Sequence, residues 1–308
     1  MYLVVGLNPA IDVVMRVSKP ILGQLNRASE TAIYPAGKAT NLMHNLSQRD
    51  VSCTLLGFVG RPDLPRFTNL LDTARSNTSL IPLEGSTRIN LKVIDAETSS
   101  DTEFNSKGIN VSVIDILDIE SELKRLLIDT KGLILTGSLP PGMPHDIYAR
   151  WIQLAKQAGV VSLLDASGEP LDQGLRAIPW MVKMNWSELS DLAGKKKLGI
   201  EDAADALMKR IAAGTEIALA TRADLVLMVT PDGGWMATPP GVSVVNPIGA
   251  GDALLAGFVY SWHHGATLPK MLKQATASAI ASVTSMEPGG WDQDIYDETL
   301  PLVNVEVL

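Results

Sequence analysis

The chain has 308 residues, 46% of them hydrophobic and 19% charged, and its formal net charge is −8 at pH 7. This length suits one or two domains with a large core, and the acidic balance argues against a nucleic-acid-binding surface, which needs basic groups to offset phosphates. The lone Cys53 excludes an intrachain disulfide and is typical of a reducing cytoplasm; no apolar run reaches the roughly 20 residues of a membrane span, and no signal peptide is expected.

Short apolar segments alternate with helix-like segments along most of the chain. Buried strands are predicted at MYLVVGL, SCTLLGFVG, GLILTGS, VVSLLDAS, WMVKMN and DLVLMVT, and helices over 38–48, 65–75, 145–157, 201–220, 250–264 and 268–285. Continuous apolar strands are typical of a sheet that is covered on both faces. The alternation therefore predicts a doubly wound α/β fold with a mostly parallel central sheet.

Two segments break this alternation. Residues 13–35 show no clear helix, and residues 87–112 read as strand, turn, strand. We expect these two segments to form a small β-sheet lid, with residues 1–12, 36–86 and 113–308 forming the core. The residues after 290 are expected to be a surface tail.

The most informative segment is NPIGAGDALLAG at 246–257. Gly249 and Gly251 let the backbone approach a ligand closely, and the free N–H groups at a helix start, Ala250 included, form an anion site. Asp252 at the same start could accept the proton of an attacking hydroxyl while the amides hold a phosphoryl group. From this segment alone, an ordinary N-capping aspartate after a glycine turn is the competing interpretation.

Seven segments, taken in order, resemble those of the ribokinase-like (PfkB-type) carbohydrate kinases, in particular the bacterial 1-phosphofructokinase and tagatose-6-phosphate kinase branch. They are NPAID from Asn8, PAGKATN from Pro35, TRINLKV from Thr87, TGSLPPG from Thr136, LDASGEPL from Leu164, KMNWSEL from Lys183 and GAGD from Gly249. The resemblance implies a three-layer α/β/α sandwich with a mostly parallel central sheet and a small β-sheet lid. It also implies ATP and Mg²⁺ as cofactors, a sugar phosphate as substrate, and a homodimer formed through the lid.

The same resemblance implies a role for each matching residue. Asp252 would be the general base, and Gly249, Ala250 and Gly251 would form the anion hole. The sugar phosphate would be bound by Asp12, Gly37, Lys38, Asn41, Ser138 and Arg88, with Arg27 as a weaker candidate. Asn185 and Glu188 would position Mg²⁺, through water, and the nucleotide, which Thr230, Gly233 and Gly251 would also contact.

Two departures from the family pattern give further expectations. Ala36 and Ala39 stand where the family has glycine, so either the backbone there is strained or the added methyl groups narrow the sugar site. The turn from Thr230 to Gly234 is shorter than the family's nucleotide turn and has lost a glycine. Nucleotide binding is therefore expected to be altered.

The predicted reaction is transfer of the γ-phosphate of ATP to fructose 1-phosphate or tagatose 6-phosphate. One alternative keeps the kinase chemistry but takes an unphosphorylated sugar or a nucleoside as acceptor. A second alternative, suggested by the two departures, is a sugar-phosphate-binding protein with little catalysis.

Overall fold

Ten strands form one large sheet in the computed structural model, which describes residues 1–98, 100–285 and 289–308. From edge to edge its strands are β14 (Asn304–Val307), β13 (Gly233–Thr238), β12 (Leu225–Thr230), β11 (Ile217–Arg222), β10 (Met181–Asn185), β9 (Val161–Asp165), β8 (Gly132–Thr136), β1 (Tyr2–Gly6), β4 (Cys53–Gly60) and β5 (Ser76–Leu83). The strands from β11 to β5 are parallel, and β12, β13 and β14 continue the sheet in antiparallel fashion. The expectation of a mostly parallel central sheet is confirmed.

Helices cover both faces of this sheet. The ten α-helices in the described ranges are α1 (Lys38–Ser47), α2 (Leu64–Leu71), α3 (Val113–Leu127), α4 (Ile147–Gln157), α5 (Gly168–Arg176), α6 (Trp186–Ala193), α7 (Ile200–Ala212), α8 (Ala250–His263), α9 (Leu268–Val283) and α10 (Gln293–Thr299). Helices α3 to α7 share one apolar cluster with one face of the sheet, and the remaining helices share a second cluster with the other face. This is the predicted three-layer sandwich, and no helix in the described ranges is long and apolar enough to cross a bilayer.

A smaller four-stranded sheet stands apart from the large one, in the order β3 (Ala28–Ala36), β2 (Ala10–Val17), β6 (Arg88–Asp95), β7 (Asp101–Asn105). Side chains alternate between its two faces, as the strand geometry requires. One face carries polar groups, and the other carries an apolar row in which Ile33, Val13, Leu91 and Phe104 are paired across all four strands. We call this sheet the lid; the exact domain boundaries given above stay a prediction.

Two sequence-based assignments were wrong. The helix expected over 201–220 ends at Ala212, and the alanine-rich segment from Ile217 onward is instead the buried strand β11. Gly214 separates the two elements with a φ of 107°, a conformation that favours glycine. The expected tail after residue 290 instead forms α10 and then β14, which pairs with β13 at the edge of the large sheet.

The alanines in the segment PAGKATN cause no backbone strain. Neither Ala36 nor Ala39 has a positive φ, whereas Gly37 between them does, with a φ of 111°. The methyl group of Ala39 instead faces Gly6, where a Cβ would lie only 2.4 Å from it. The strain expectation is therefore wrong, and the added methyl group is accommodated by a glycine on the neighbouring strand.

Candidate active site

A cavity of about 610 Å³ lies between the lid and the edge of the large sheet where its parallel strands end. The chain leaves β1 toward β4 on one side and later returns to β8 on the other, so β1 and β8 flank a topological switch point. Ligands of open α/β sheets bind outside the carboxyl ends of strands at such points. Asn8, which follows β1, and Ser138, which follows β8, both line this central cavity and are hydrogen-bonded to each other at 3.1 Å.

Helix α8 begins at the wall of the central cavity. Gly249 is its N-cap and has a φ of 82°, and Asp252 lies in the first turn without capping the helix. The N–H group of Gly251 has no hydrogen-bond partner in the described ranges. A free amide at the positive end of a helix attracts an anion. The arrangement therefore disfavours the capping interpretation of Asp252 and favours an anion site beside its carboxylate.

The Asp252 carboxylate is buried, with 6% of the residue exposed. It accepts a hydrogen bond of 2.8 Å from Nδ2 of Asn41. Burial raises the pKa of Asp252 to about 6, although the charges of Lys38 and Lys183 lower it. A carboxylate with such a pKa is ionised at neutral pH and is more basic than an exposed one, as a general base should be.

Two lysines share one buried carboxylate next to Asp252. Oδ1 of Asp165 lies 3.0 Å from Nζ of Lys38 and 3.2 Å from Nζ of Lys183, and Oδ2 accepts a hydrogen bond from Thr136. Burial by itself would raise the pKa of Asp165, but the two ammonium groups outweigh it and hold the pKa at about 2. The cluster thus places two fixed positive charges near the α8 amides.

The polar face of the lid holds a second charge cluster around Asp12. Asn90 donates a hydrogen bond of 2.9 Å to Oδ1 of Asp12, and Nζ of Lys92 lies 2.7 Å from Oδ2. Lys92 also lies 3.7 Å from Glu103, its partner across β6 and β7. Asp12 and Lys92 are both almost completely buried, so this ion pair fixes the carboxylate toward the central cavity.

Arg88 begins strand β6 and lines the central cavity. Its Nε and Nη2 donate hydrogen bonds to the backbone oxygens of Asn8 and Pro9. These contacts fix the plane of the guanidinium group and leave Nη1 for a ligand. A guanidinium held in this way suits a phosphate or carboxylate.

Asn185 and Glu188 form a reciprocal cap at the start of α6. Oδ1 of Asn185 accepts from the N–H of Glu188 at 2.8 Å, and Oε2 of Glu188 accepts from the N–H of Asn185 at 2.7 Å. This is a capping box, which orients both side chains. Among the residues that the structure describes, no group of three or more His, Cys, Asp or Glu side chains could hold a metal ion directly.

An apolar cavity of about 600 Å³ adjoins the central cavity. It lies between the β11–β12 turn, residues 238–244, and helices α8 and α9. The two cavities share Thr221, Pro247, Ala250 and Gly251. A molecule with an apolar end and an anionic end could therefore lie across both, with its anionic end at the start of α8.

Comparison with known proteins agrees with this architecture. The family model described as "pfkB family carbohydrate kinase" matches residues 1–293. A 1-phosphofructokinase of Vibrio cholerae is 31% identical over 99% of this chain and 96% of its own length. The chain belongs to the pfkB family of carbohydrate kinases.

Other similar proteins are consistent with this assignment. A tagatose-6-phosphate kinase of Staphylococcus epidermidis is 27% identical over 99% of each chain. The crystal structure of a possible 1-phosphofructokinase from Thermotoga maritima has a TM-score of 0.87 and 25% identity, covering 100% of this chain and 99% of the other. Ribokinase of Arabidopsis thaliana, at 17% identity and a TM-score of 0.74, shares the fold. Carbohydrate kinases of this family use ATP.

The kinase brings most of the sequence-predicted site residues together. Those that line the central cavity are Asp12, Gly37, Lys38, Asn41, Arg88, Ser138, Asn185, Gly249, Ala250, Gly251 and Asp252. Glu188 is not part of the lining but is hydrogen-bonded to Asn185 at its edge. Arg27 is exposed in the loop between β2 and β3 and lies outside the lining.

Thr230 and Gly233 are not at either cavity. Strand β12 runs antiparallel to β11, so Thr230 at its end lies at the opposite edge of the sheet from the carboxyl end of β11. The turn that reaches both cavities instead begins at Thr221. Thr230 and Gly233 therefore do not line the cavities as expected, and a nucleotide role for them stays a prediction.

Several lining residues were not singled out from the sequence as site residues. They are Asn8, Asn90, Lys92, Glu103, Lys183 and Thr221, and Asp165 lies directly behind them. Asp165 and Lys183 each interrupt or end an apolar strand, which is a usable signal, because a charge in a buried strand needs a partner. Lys92 and Glu103 gave no such signal, since lid strands expose one face.

Proposed function

We propose that this kinase transfers the γ-phosphate of ATP to a hydroxyl of a phosphorylated ketohexose, with fructose 1-phosphate and tagatose 6-phosphate as the leading candidates. The observation that carries the proposal is the buried Asp252 carboxylate beside the free amide of Gly251 at the start of α8. The relatives named 1-phosphofructokinase and tagatose-6-phosphate kinase favour a phosphorylated substrate over a neutral sugar or a nucleoside.

Asp252 would act as the general base. Its carboxylate takes the proton of the attacking hydroxyl, while the hydrogen bond from Asn41 keeps it pointing at the cavity. The amides of Gly249, Ala250 and Gly251 would receive the transferring phosphoryl group. Because they are fixed before the reaction, they stabilise the developing charge without reorganisation.

Lys38 and Lys183 would assist at the same place. Both ammonium groups are held by Asp165, and both lower the pKa of Asp252, which indicates that their charge reaches the reacting centre. The transferring phosphoryl group spreads negative charge over its oxygens, so nearby cations favour the transition state.

Asn185 and Glu188 would hold Mg²⁺ through water. Mg²⁺ prefers oxygen ligands and keeps several waters, which suits a site with one carboxylate and one amide oxygen. Oε2 of Glu188 is used in the cap, so Oε1 is available for a coordinated water. When bound, the ion would neutralise charge on the nucleotide phosphates.

The lid and the loops beside it would bind the sugar phosphate. Asp12 accepts from sugar hydroxyls, with its orientation fixed by Asn90 and Lys92. Arg88 would bind the substrate's own phosphate through its open edge, near Ser138. Arg27 is exposed in the loop between β2 and β3 and does not line the central cavity, so any role for it stays a prediction.

The apolar row of the lid would be covered by the lid of a second copy. Ile33 is 55% exposed and Phe104 is 52% exposed at the two ends of this row. Burying such side chains is favourable, so we include a homodimer in the proposal. Phosphofructokinase-2 of Escherichia coli, which shares the fold at 20% identity, is tetrameric in one inhibited form.

A coupled assay for ADP release, with MgATP and a panel of acceptors, tests the proposed function. Fructose 1-phosphate or tagatose 6-phosphate should give the highest kcat/KM, and fructose, ribose and adenosine should give little. Binding of a sugar phosphate without turnover would support the binding-protein alternative, and a neutral acceptor as the best substrate would overturn the substrate class.

A further inference from the structure

The lining of the apolar cavity carries a single ion pair. Among its lining residues Arg222 is the only cation and Asp224 is the only anion. All other lining side chains are apolar, small or hydroxylated. The rest of the lining suits an apolar group, and an apolar group alone would have no use for this charged pair.

The guanidinium group of Arg222 is fixed on two sides. Its Nε and Nη2 donate to the carboxylate of Asp224 at 2.5 and 2.9 Å, and its central carbon lies 4.5 Å from the centre of the Trp186 ring. The Trp186 ring is itself held, because Nε1 donates to the backbone oxygen of Leu198 at 3.1 Å. The plane of the guanidinium group is thus set before any ligand arrives.

One edge of Arg222 remains open. Nη1 makes no hydrogen bond in the described ranges, and the side chain is 36% exposed. An arginine with two donors anchored and the remaining donors free is preorganised for an anion. Exposed salt bridges contribute little to stability, so a stabilising role alone does not explain the arrangement.

Arg222 also lies at the junction of the two cavities. It follows Thr221, which lines both cavities, and its partner Trp186 follows Asn185, which lines the central cavity. A nucleotide with its base in the apolar cavity and its terminal phosphate at the start of α8 must run its phosphate chain through this junction. Glu188 and Asp224 would repel that chain, and Arg222 is the cation that offsets them.

We infer that Arg222 binds the phosphate chain of the nucleotide, and that Asp224 and Trp186 are positioning residues that hold its guanidinium plane. This inference rests on the proposed kinase function and adds to it the residue that recognises the inner phosphates. Lys38 and Lys183 lie at the other end of the path, near Asp252, so Arg222 serves binding of the nucleotide rather than the transfer step.

Kinetics and calorimetry of Arg222→Met test the inference. The KM for MgATP and the Kd for ADP should rise about 10- to 30-fold, since a charge-assisted hydrogen bond is lost. The kcat, the KM for the sugar phosphate and the inhibition constant of adenosine should change less than about threefold, because adenosine has no phosphate to lose. Arg222→Lys should recover part of the ADP affinity.

Arg125→Met is the matched control, because the exposed Arg125 also pairs with a carboxylate, that of Glu122, and neither residue lines either cavity. Unchanged ADP affinity in Arg222→Met, or equal weakening of ADP and adenosine, would overturn the inference. If the unaltered protein releases no ADP with any sugar phosphate but Arg222→Met still loses ADP affinity, the proposed function fails and the phosphate contact stands.

Discussion

Gly251 and Lys183 lie so close together that a side chain at residue 251 would press against the ammonium group of Lys183. A Cβ at position 251 would be 3.0 Å from Nζ of Lys183. Gly251 therefore does more than leave the backbone accessible to a ligand, since it lets the buried ammonium group of Lys183 approach the first turn of α8. Charge on the lysine and partial charge on the amides then act on the same bound anion.

Gly251→Ala should separate this cation from the anion site. We expect kcat to fall about 10- to 100-fold, because a preorganised charge is displaced, while the unfolding midpoint in urea changes little. Gly199→Ala is the control, since its Cβ would have only the Asp202 side chain within 4 Å, at 3.9 Å. Full activity in Gly251→Ala would contradict the role given to this contact.

Asp252→Asn should abolish most turnover and stabilise the fold. The loss of a general base costs about 10²–10⁴-fold in rate. For the unaltered kinase, kcat/KM should fall as the pH drops below about 6, the pKa of Asp252, because the base becomes protonated.

The stability effect has a defined sign. The pKa of Asp252 is raised on folding from 3.8 to about 6, so the folded state binds the proton more tightly, and ionisation at higher pH destabilises it. Asp252→Asn should therefore raise the free energy of unfolding at pH 7.5 by roughly 3 kcal/mol. Urea denaturation should show this gain in the free energy of unfolding shrinking as the pH falls from 6 toward 4. A gain that is constant with pH would show that it does not come from the raised pKa of Asp252.

Asp165→Asn should destabilise the protein and impair catalysis together. It leaves the ammonium groups of Lys38 and Lys183 without their shared buried carboxylate, and breaking a buried ion pair costs about 3–5 kcal/mol. The pKa of Asp165 is depressed to about 2, so its contribution is present above the unfolded value of 3.8 and is lost as the pH falls toward 2.

The exposed pair of Asp202 and Lys195 provides the control for this measurement. Both side chains are at least 41% exposed, so Asp202→Asn should change the free energy of unfolding by less than about 1 kcal/mol. An equal effect of the two substitutions in urea denaturation at pH 7 would mean that burial does not strengthen the Asp165 cluster.

Arg88→Met should weaken sugar-phosphate binding selectively. Removing a guanidinium that faces a dianion should raise the KM for the sugar phosphate about 100-fold or more, with the KM for MgATP nearly unchanged. Arg61→Met is a suitable control, because Arg61 pairs with the exposed Glu84 outside the central cavity. A parallel rise of both KM values would indicate a general disturbance instead.

The sequence predicted the elements whose patterns are local and missed those that depend on a distant partner. The strand, glycine turn and helix around Gly249 and Asp252 were predictable, because the whole pattern lies in one segment. Thr230 was assigned to the nucleotide by resemblance alone, and the antiparallel pairing of β11 with β12, which places Thr221 rather than Thr230 at the cavities, cannot be read from one segment.

The role of Ala39 shows the same dependence on a distant residue. From the sequence its methyl group could only be judged against the glycine of other family members. In the structure the methyl group faces Gly6 on β1, and the missing side chain of Gly6 leaves the space that the methyl group fills. Such compensation involves residues that are far apart in the chain and follows no periodicity.

The lid provides a test of the proposed dimer. An apolar row across its four strands consists of Ile33, Val13, Leu91 and Phe104. The two residues at the ends of the row, Ile33 and Phe104, are each about half exposed. A charge placed in a buried apolar interface is strongly unfavourable. Phe104→Glu should therefore convert the dimer to a monomer in analytical ultracentrifugation at micromolar concentration.

Ile114→Glu is the control, because Ile114 is 69% exposed on α3, away from the lid, and should leave the mass unchanged. A monomeric unaltered protein, or a Phe104→Glu variant that remains dimeric, would exclude this face as the interface.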